Sequence, residues 1–540
     1  MVNERKMKEQ LLERLKEQWA KPPVSDFSSE KFESIKVYYN TVKDDRLDVD
    51  DITWNDLDMD EIYLLMNNTQ SSIGEEYLYA LLHKPCFSKE ELEERNRLIH
   101  YFGEHEKERL QLQMKLNPIG KFTRITIYDY ISRLNEQKAK SNIKHYAMAI
   151  GLLISIAIIF FVPPVGGILT VIFVANNIYQ YYRSKAEIEN YLKVFAFICR
   201  LLDGVKNIHD LNITDIKSYM DELKKDVDVF KNFQRGSFFL TSTSATGDIL
   251  DMLFDYIRML FHVDLIKYNS MLGFFQSKKD VLDRIFVKVG YLESMIAAAS
   301  FRHMLPLYSE PVLERSKRPN LSVKDLYHPL IAEPVPNSIS ENSSVLITGS
   351  NASGKSTFIK TLAINAILAQ TIFTSTSKSY KASYFMIYSS MALRDNLFNK
   401  ESYYMVEIKS LKRILDRVDV DLPTLCFIDE VLRGTNTLER IAASSRILSY
   451  LAKKNTLVFA ATHDIELTSI LEETYSNYHF QERIEANEVL FDYRLYEGKA
   501  VSKNAIKLLT MLRFPNEITG AAEKAAEEFL QQGEWSKIRR

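Results

Sequence analysis

The sequence predicts a C-terminal α/β domain built on parallel strands, preceded by a mostly α-helical region that an apolar helical hairpin interrupts. Three observations carry this. From about residue 320, short apolar or β-branched runs alternate with helical stretches, as in Ser344-Val-Leu-Ile-Thr348, Thr424-Leu-Cys-Phe-Ile428 and Thr456-Leu-Val-Phe-Ala460, the pattern of strands buried on both faces. Upstream, apolar residues recur at helical spacing (Ile62, Leu65, Met66; Tyr77, Leu78, Leu81, Leu82), and the pattern resumes from Ala186 to about Tyr308. The 540 residues include only 17 glycines and 14 prolines, under half the usual ~7% glycine, which suits long helices and excludes collagen-like and low-complexity classes.

At roughly 100 to 200 residues per domain, this length calls for several cores. Residues 1–60 read as a helical leader followed by a solvated acidic linker (Asp44, Asp45, Asp48, Asp50, Asp51, Asp56, Asp58, Asp60). A calcium loop started at Asp56 fails, because Glu61 stands where the sharp turn needs glycine and Asn67 where the bidentate glutamate belongs. Residues 61–315 read as a helical domain, 320–530 as the α/β domain after the breakers Pro311 and Pro319, and 531–540 as a basic tail. Cys86, Cys199 and Cys426 are far apart in apolar surroundings and read as core residues of a reducing compartment.

The hairpin lies at 145–182. No charged residue occurs between Lys144 and Arg183, and Pro163-Pro-Val-Gly-Gly167 splits the run into two pieces close to the ~20 residues that cross a ~30 Å hydrocarbon core. Lys138, Lys140 and Lys144 before it, with Arg183 and Lys185 after it, predict a transmembrane hairpin whose two ends stay cytoplasmic at the cell membrane. The alternative is a buried or re-entrant hairpin in a cytoplasmic protein.

Gly349-Ser350-Asn351-Ala352-Ser353-Gly354-Lys355-Ser356-Thr357 fits the phosphate-binding P-loop, directly after one predicted strand and before an apolar-periodic helix. Its glycines let backbone approach phosphate, and N–H groups at the helix N-terminus face the anion. Lys355 is expected to neutralise charge on the β- and γ-phosphates of ATP, and the Ser356 hydroxyl to ligate Mg²⁺. Asp429 and Glu430 close the second strand. Asp429 is expected to hold the water shell of Mg²⁺ and Glu430 to polarise the attacking water. His463, after the third strand, is expected to contact the γ-phosphate or orient that water.

At this point the sequence resembles the MutS family of ABC-type ATPases, known for DNA mismatch repair. The resemblance rests on Thr348 to Thr357, Ser402-Tyr-Tyr-Met-Val-Glu407, Asp429-Glu-Val-Leu-Arg-Gly-Thr-Asn436 and Ala461-Thr-His-Asp-Ile-Glu-Leu-Thr468, and more weakly on Asn67 to Leu82. It implies a Mg²⁺-dependent ATPase that works as a homodimer, each P-loop completed in trans by Ser402, with 61–315 acting as lever helices. Val335 falls where the family often has a base-stacking aromatic, and Leu432 where it usually has glycine. About 60 residues precede the lever-like region, so the expected form is short, without mismatch-reading and connector domains.

Charge separates the two functional expectations. The chain carries 69 Lys+Arg against 71 Asp+Glu, and residues 320–540 hold 26 of each. A protein that tracks phosphates is expected to show a basic stripe. The first expectation is therefore a membrane-associated ATPase that couples nucleotide turnover to lever motion; the alternative is a DNA-binding repair or recombination protein acting on mismatched or branched DNA.

Overall fold

The computed structural model describes residues 2–23, 29–122, 127–133, 141–211, 213–231, 256–350, 352–391, 403–418, 421–433, 435–485, 488–500, 506, 509–510, 513–535 and 537–538. The chain divides into two compact units, neither continuous in sequence. The first comprises Met1–Lys43, Tyr63–Leu82 and Glu94–Met304; the second comprises Asp44–Ile62, His83–Glu93 and Leu305–Arg540.

The first unit is helical. Its elements include α1 (Ser72–His83), α2 (Ile143–Ile159), α3 (Pro163–Ile208) and α4 (Lys279–Met304). A buried carboxylate organises the start of α1. Glu293 of α4 accepts from the backbone N–H groups of Gln70 (2.6 Å) and Ser71 (3.0 Å) and from the Ser71 hydroxyl, while Ser71 Oγ accepts from Gly74 N. These are donors that a helix N-terminus cannot satisfy internally. Gly74 makes the approach possible, since a Cβ there would stand 2.4 Å from Glu293 Oε2.

Helices α2 and α3 form an antiparallel pair joined by a tight turn. Ser155 and Thr170 hydroxyls meet at 3.2 Å, Asn177 Nδ2 reaches Met148 O, and Gly151 makes room for the Phe173 ring. The sequence expectation of two membrane-crossing spans within 145–182 fails here. Among the described residues no helix is long and apolar enough to cross a membrane. The 17 residues of α2 rise about 25 Å, short of the ~30 Å of hydrocarbon. The apolar run of α3 stops at Asn176 and Asn177 while the helix continues to Ile208.

The second unit is α/β with mixed sheets. One sheet has the order β1 (Val312–Glu314), β5 (Ser379–Ser383), β2 (Leu321–Leu326), β3 (Asn337–Glu341). The other has the order β10 (Glu488–Glu497), β9 (Tyr475–Glu485), β4 (Ser344–Thr348), β8 (Thr456–Ala461), β7 (Thr424–Asp429), β6 (Met386–Ser390). Pairing is parallel from β9 to β6, and only β10 runs antiparallel to its neighbour. Every residue of β4, β7 and β8 is buried, as their unbroken apolar runs require. Helices α5 (Lys355–Thr371), α6 (Tyr403–Arg417) and α7 (Thr437–Ala452) complete the described frame of the site.

The acidic stretch is no solvated linker. Trp54, Leu57 and Met59 are buried, and the segment packs on edge strand β6 and on α6. Ser389 Oγ and Met391 N donate to Asp56 Oδ2 (2.7 and 3.0 Å), Ser389 N donates to Thr53 Oγ1 (3.1 Å), and Arg413 donates to Asp50. Lys360 of α5 donates to Asp58. The carboxylates look like solvent-seeking charge in sequence because their cationic and hydroxyl partners lie more than 300 residues away. Among the described residues no cluster of three or more metal-ligating side chains occurs. Cys86, Cys199 and Cys426 are buried, and among the described residues no disulfide joins them.

Candidate functional site

The C-terminal ends of three adjacent parallel strands gather the chemistry. Strand β4 runs into the loop 349–354, β7 ends at Asp429 and β8 leads to His463, with β8 paired to both β4 and β7. Such an edge is where open α/β sheets place their ligands. Gly349 has φ +146° and Gly354 φ +106°, and a Cβ at Gly349 would lie 2.7 Å from Phe480 O. Both positions therefore need glycine for the loop to wrap. Ala352 shares the left-handed conformation at φ +64°. Asn351 and Ser402 lie outside the described residues.

Lys355 begins α5, and its ammonium donates to Gly349 O (2.8 Å) and Ser350 O (2.7 Å). Burial pulls its affinity for a proton down, against the attraction of Glu430 and Asp429. Ser350 donates to Glu482 (2.7 Å). Ser356 and Thr357 follow Lys355 in the first turn of α5.

Glu430 contacts His463 Nε2 through one carboxylate oxygen and Arg433 Nε through the other at 2.5 Å. Burial pushes the Glu430 carboxyl up, but the His463 hydrogen bond and the charges of His463, Arg433 and Lys355 outweigh it and hold the group below the ordinary glutamate value. Glu430 is thus suited to remain an ionised acceptor. These two residues, with Arg433, Arg440, Thr462 and Asp464, border a cavity of about 160 Å³. Arg440 forks onto Asp464 at 2.6 and 2.8 Å, fixing the turn after β8.

Asp429 Oδ1 is buried with no hydrogen-bond partner, as is Ser353 Oγ. A buried carboxylate oxygen left without a donor is costly. This orphan, within electrostatic reach of Lys355, is the kind of acceptor that the water shell of a hard divalent cation satisfies. The residues present therefore fit Mg²⁺, with Ser356 and Asp429 as the groups that would hold it.

Beside α5 lies a second, larger cavity of about 370 Å³, lined among others by Tyr327, His328, Val335, Asn337, Phe480 and Tyr493. Burial and the nearby charge of Lys360 pull the His328 imidazole down to about 4, leaving a neutral ring at physiological pH. Aromatic and neutral-ring walls suit a heterocyclic base. Asn337 joins two walls, donating to Tyr493 O (3.0 Å) and accepting from Leu495 N (2.7 Å).

Tyr493, His328 and Arg433, which line the two cavities, and Glu407, which braces the turn after Glu430, have no role in the motifs. Glu407 accepts from the backbone N–H groups of Leu432 and Arg433, so the Ser402–Glu407 motif also braces the turn that follows Glu430. That turn holds two residues other than glycine in the left-handed region, Glu430 at φ +59° and Leu432 at φ +61°. Leu432 is buried, and its packing offsets a conformational cost of ~1–2 kcal/mol. Because that cost remains with alanine and vanishes with glycine, Leu432→Gly should be less destabilised than Leu432→Ala by about 1 kcal/mol. Urea unfolding of the two variants checks this, and an alanine variant as stable as the glycine one would contradict it.

The loop 349–354, the carboxylates at the tip of β7 and the mixed sheets define a P-loop ATPase-like α/β fold. More particularly, residues 345–530 match the family model described as MutS domain V, which supports the MutS family for this part of the chain. The chain is 30% identical over 207 residues to the DNA mismatch repair protein MutS of Thermus aquaticus, covering 37% of this chain and 25% of that protein. It is 26% identical over 282 residues to the DNA mismatch repair protein MutS of Staphylococcus haemolyticus (50% and 32%). With the DNA mismatch repair protein MSH3 of Meyerozyma guilliermondii it shares 27% identity over 313 residues (52% and 32%). The match thus spans only a quarter to a third of the length of these relatives.

Proposed function

We propose that this chain is a MutS-family ATPase that binds ATP at 349–357 and hydrolyses it to ADP and phosphate. The observation that supports this most is the convergence of Lys355, Asp429, Glu430 and His463 on one sheet edge. In this reading Lys355 leaves the loop carbonyls to neutralise the β- and γ-phosphates. Glu430, kept ionised, accepts a proton from the water that attacks the γ-phosphorus, the bond to the β–γ bridging oxygen breaks, and ADP carries away the negative charge. His463 orients Glu430 and the water. Ser356 and Asp429 would hold Mg²⁺, which when bound would neutralise charge on the phosphate oxygens. The base lies between Tyr493 and the Val335 wall, beside neutral His328.

The same reading makes the active form a dimer in which Ser402 of one copy completes the other copy's P-loop. Mixing tests it. Lys355→Ala and Ser402→Ala chains are each expected to be nearly inactive, whereas an equimolar mixture recovers activity, since one of the two sites in a mixed dimer is intact. Turnover without added Mg²⁺ should be negligible. Failure of the mixture to recover activity sinks completion in trans; full activity of Lys355→Ala sinks the ATPase reading itself.

The second reading, action on DNA, draws on the names of the curated relatives. Balanced charge gives it no added support, because electrostatic contact with phosphate is the main source of non-specific affinity. Stimulation of the ATPase by duplex, mismatched or branched DNA at stated salt would favour it.

A further inference from the structure

The α2–α3 pair turns most of its branched aliphatic side chains outward and keeps polar side chains in its seam. In a helix packed for water, apolar side chains face inward and polar ones outward. Here the inward seam holds Gly151, Ser155, Thr170 and Asn177 beside the buried Met148 and Leu152; the Thr170 hydroxyl donates to Ser155 and the Asn177 amide to Met148 O, with Ser155 1% and Asn177 0% exposed. The outward positions are Ile150, Leu153, Ile154, Ile168, Val171 and Ile172, exposed by 54 to 68%. Small residues and hydroxyl contacts between helices, with branched aliphatics outside, are the packing rule of helices surrounded by lipid.

Polarity also changes along the pair. At the turn, Phe160 and Phe161 are the most exposed of these apolar residues, at 83% and 85%. At the opposite end stand Tyr146, Tyr179 and Tyr182, all half-exposed or more, beside Lys144 and Arg183. Phenylalanine at the tip, tyrosine and cations at the base match the depth order of a bilayer: acyl chains, then interface, then anionic headgroups. With Ile156, also exposed, the outward residues of α2 occupy an arc of roughly 160° about its axis at 3.6 residues per turn, which a fluid medium covers and a flat protein partner does not.

We propose that the α2–α3 pair inserts its Phe160–Phe161 tip into the acyl region of an anionic bilayer surface without crossing it, the tyrosine and cation end resting at headgroup level. The span of about 25 Å in α2 is too short to cross, and the antiparallel pair returns the chain to the side it entered. The inference stands on this pair of helices alone and does not depend on the nucleotide chemistry.

Flotation of the full chain with vesicles tests it, using phosphatidylcholine alone and phosphatidylcholine containing phosphatidylglycerol. The wild-type chain should float with the anionic vesicles and less with the neutral ones. Phe160→Ser/Phe161→Ser changes only exposed side chains and should lower the bound fraction roughly tenfold or more, with the circular dichroism spectrum unchanged. A Phe161→Cys chain, its other cysteines being buried, should resist an impermeant maleimide added inside or outside the vesicles. Wild-type protein that stays with the vesicle-free fraction overturns the proposal. So does equal flotation with both compositions, for the headgroup contact, or labelling of Phe161→Cys from the vesicle lumen, for insertion without crossing. A lipid-independent oligomer that the double serine variant dissociates assigns the face to a second copy instead.

Discussion

Glu430→Gln should lower the ATP turnover number by about 10²–10⁴-fold, the usual contribution of a positioned general base, while ATP affinity stays within a few-fold of wild type. The glutamine keeps the shape but cannot accept the proton of the attacking water, and the phosphate loop of 349–357 is untouched. Bound nucleotide recovered after rapid gel filtration should then be ATP, where the wild type yields ADP. The pH profile carries a second readout. Burial would raise the Glu430 carboxyl, but His463, Arg433 and Lys355 together hold it low, so the acid limb due to this group lies below the ordinary glutamate range. Unchanged turnover in the glutamine variant would remove Glu430 from the chemistry altogether.

The largest stability effect is expected in the helical unit, at Glu293. Glu293→Ala leaves the Gln70 and Ser71 N–H groups without their acceptor, at roughly 1–3 kcal/mol for each buried donor, and should destabilise the helical unit by about 2–4 kcal/mol in urea unfolding. The carboxyl is fully buried and its pKa is raised by that burial to about 7, the hydrogen bonds from Ser71 and Gln70 and the charge of Lys121 offsetting only part of the rise. The folded state therefore keeps a proton that the unfolded chain gives up near the ordinary value of 4.5. Its contribution is complete below that value and is lost as pH climbs to about 7, a fall of roughly 3 kcal/mol from this one group. Glu293→Gln, permanently neutral, should flatten the pH dependence of unfolding between those limits. A wild-type chain equally stable at pH 5 and 7.5 would contradict the assignment.

What could be read in the sequence was what sequence neighbours decide. The loop 349–357 announces itself because its glycines, lysine and hydroxyls act on one ligand within nine positions, and the buried strands β4, β7 and β8 because each is an unbroken apolar run with its functional residue at the tip. The acidic stretch 44–61 misleads for the opposite reason. Asp50, Asp56 and Asp58 find Arg413, Ser389 and Lys360 only after folding, so local pattern shows a run of unsatisfied charge. Glu293 is likewise silent, an ordinary glutamate in a helix until α4 places it at the start of α1. In 145–182 the apolar run was legible, while the length of each arm and the continuation of α3 past Asn177 were not.

The strap formed by residues 50–58 has a consequence for how the second unit is made. During synthesis it leaves the ribosome first, yet its hydroxyl partner Ser389 is 333 positions behind Asp56. At about 5–20 residues per second the strap waits on the order of half a minute for the strand it is to cover. The second unit is therefore closed by its earliest segment, and contacts of such sequence separation are the slow ones. Until they form, β6 presents an open edge on which a second nascent chain could pair. Deletion of residues 44–60 would make that exposure permanent, and loss of solubility would follow.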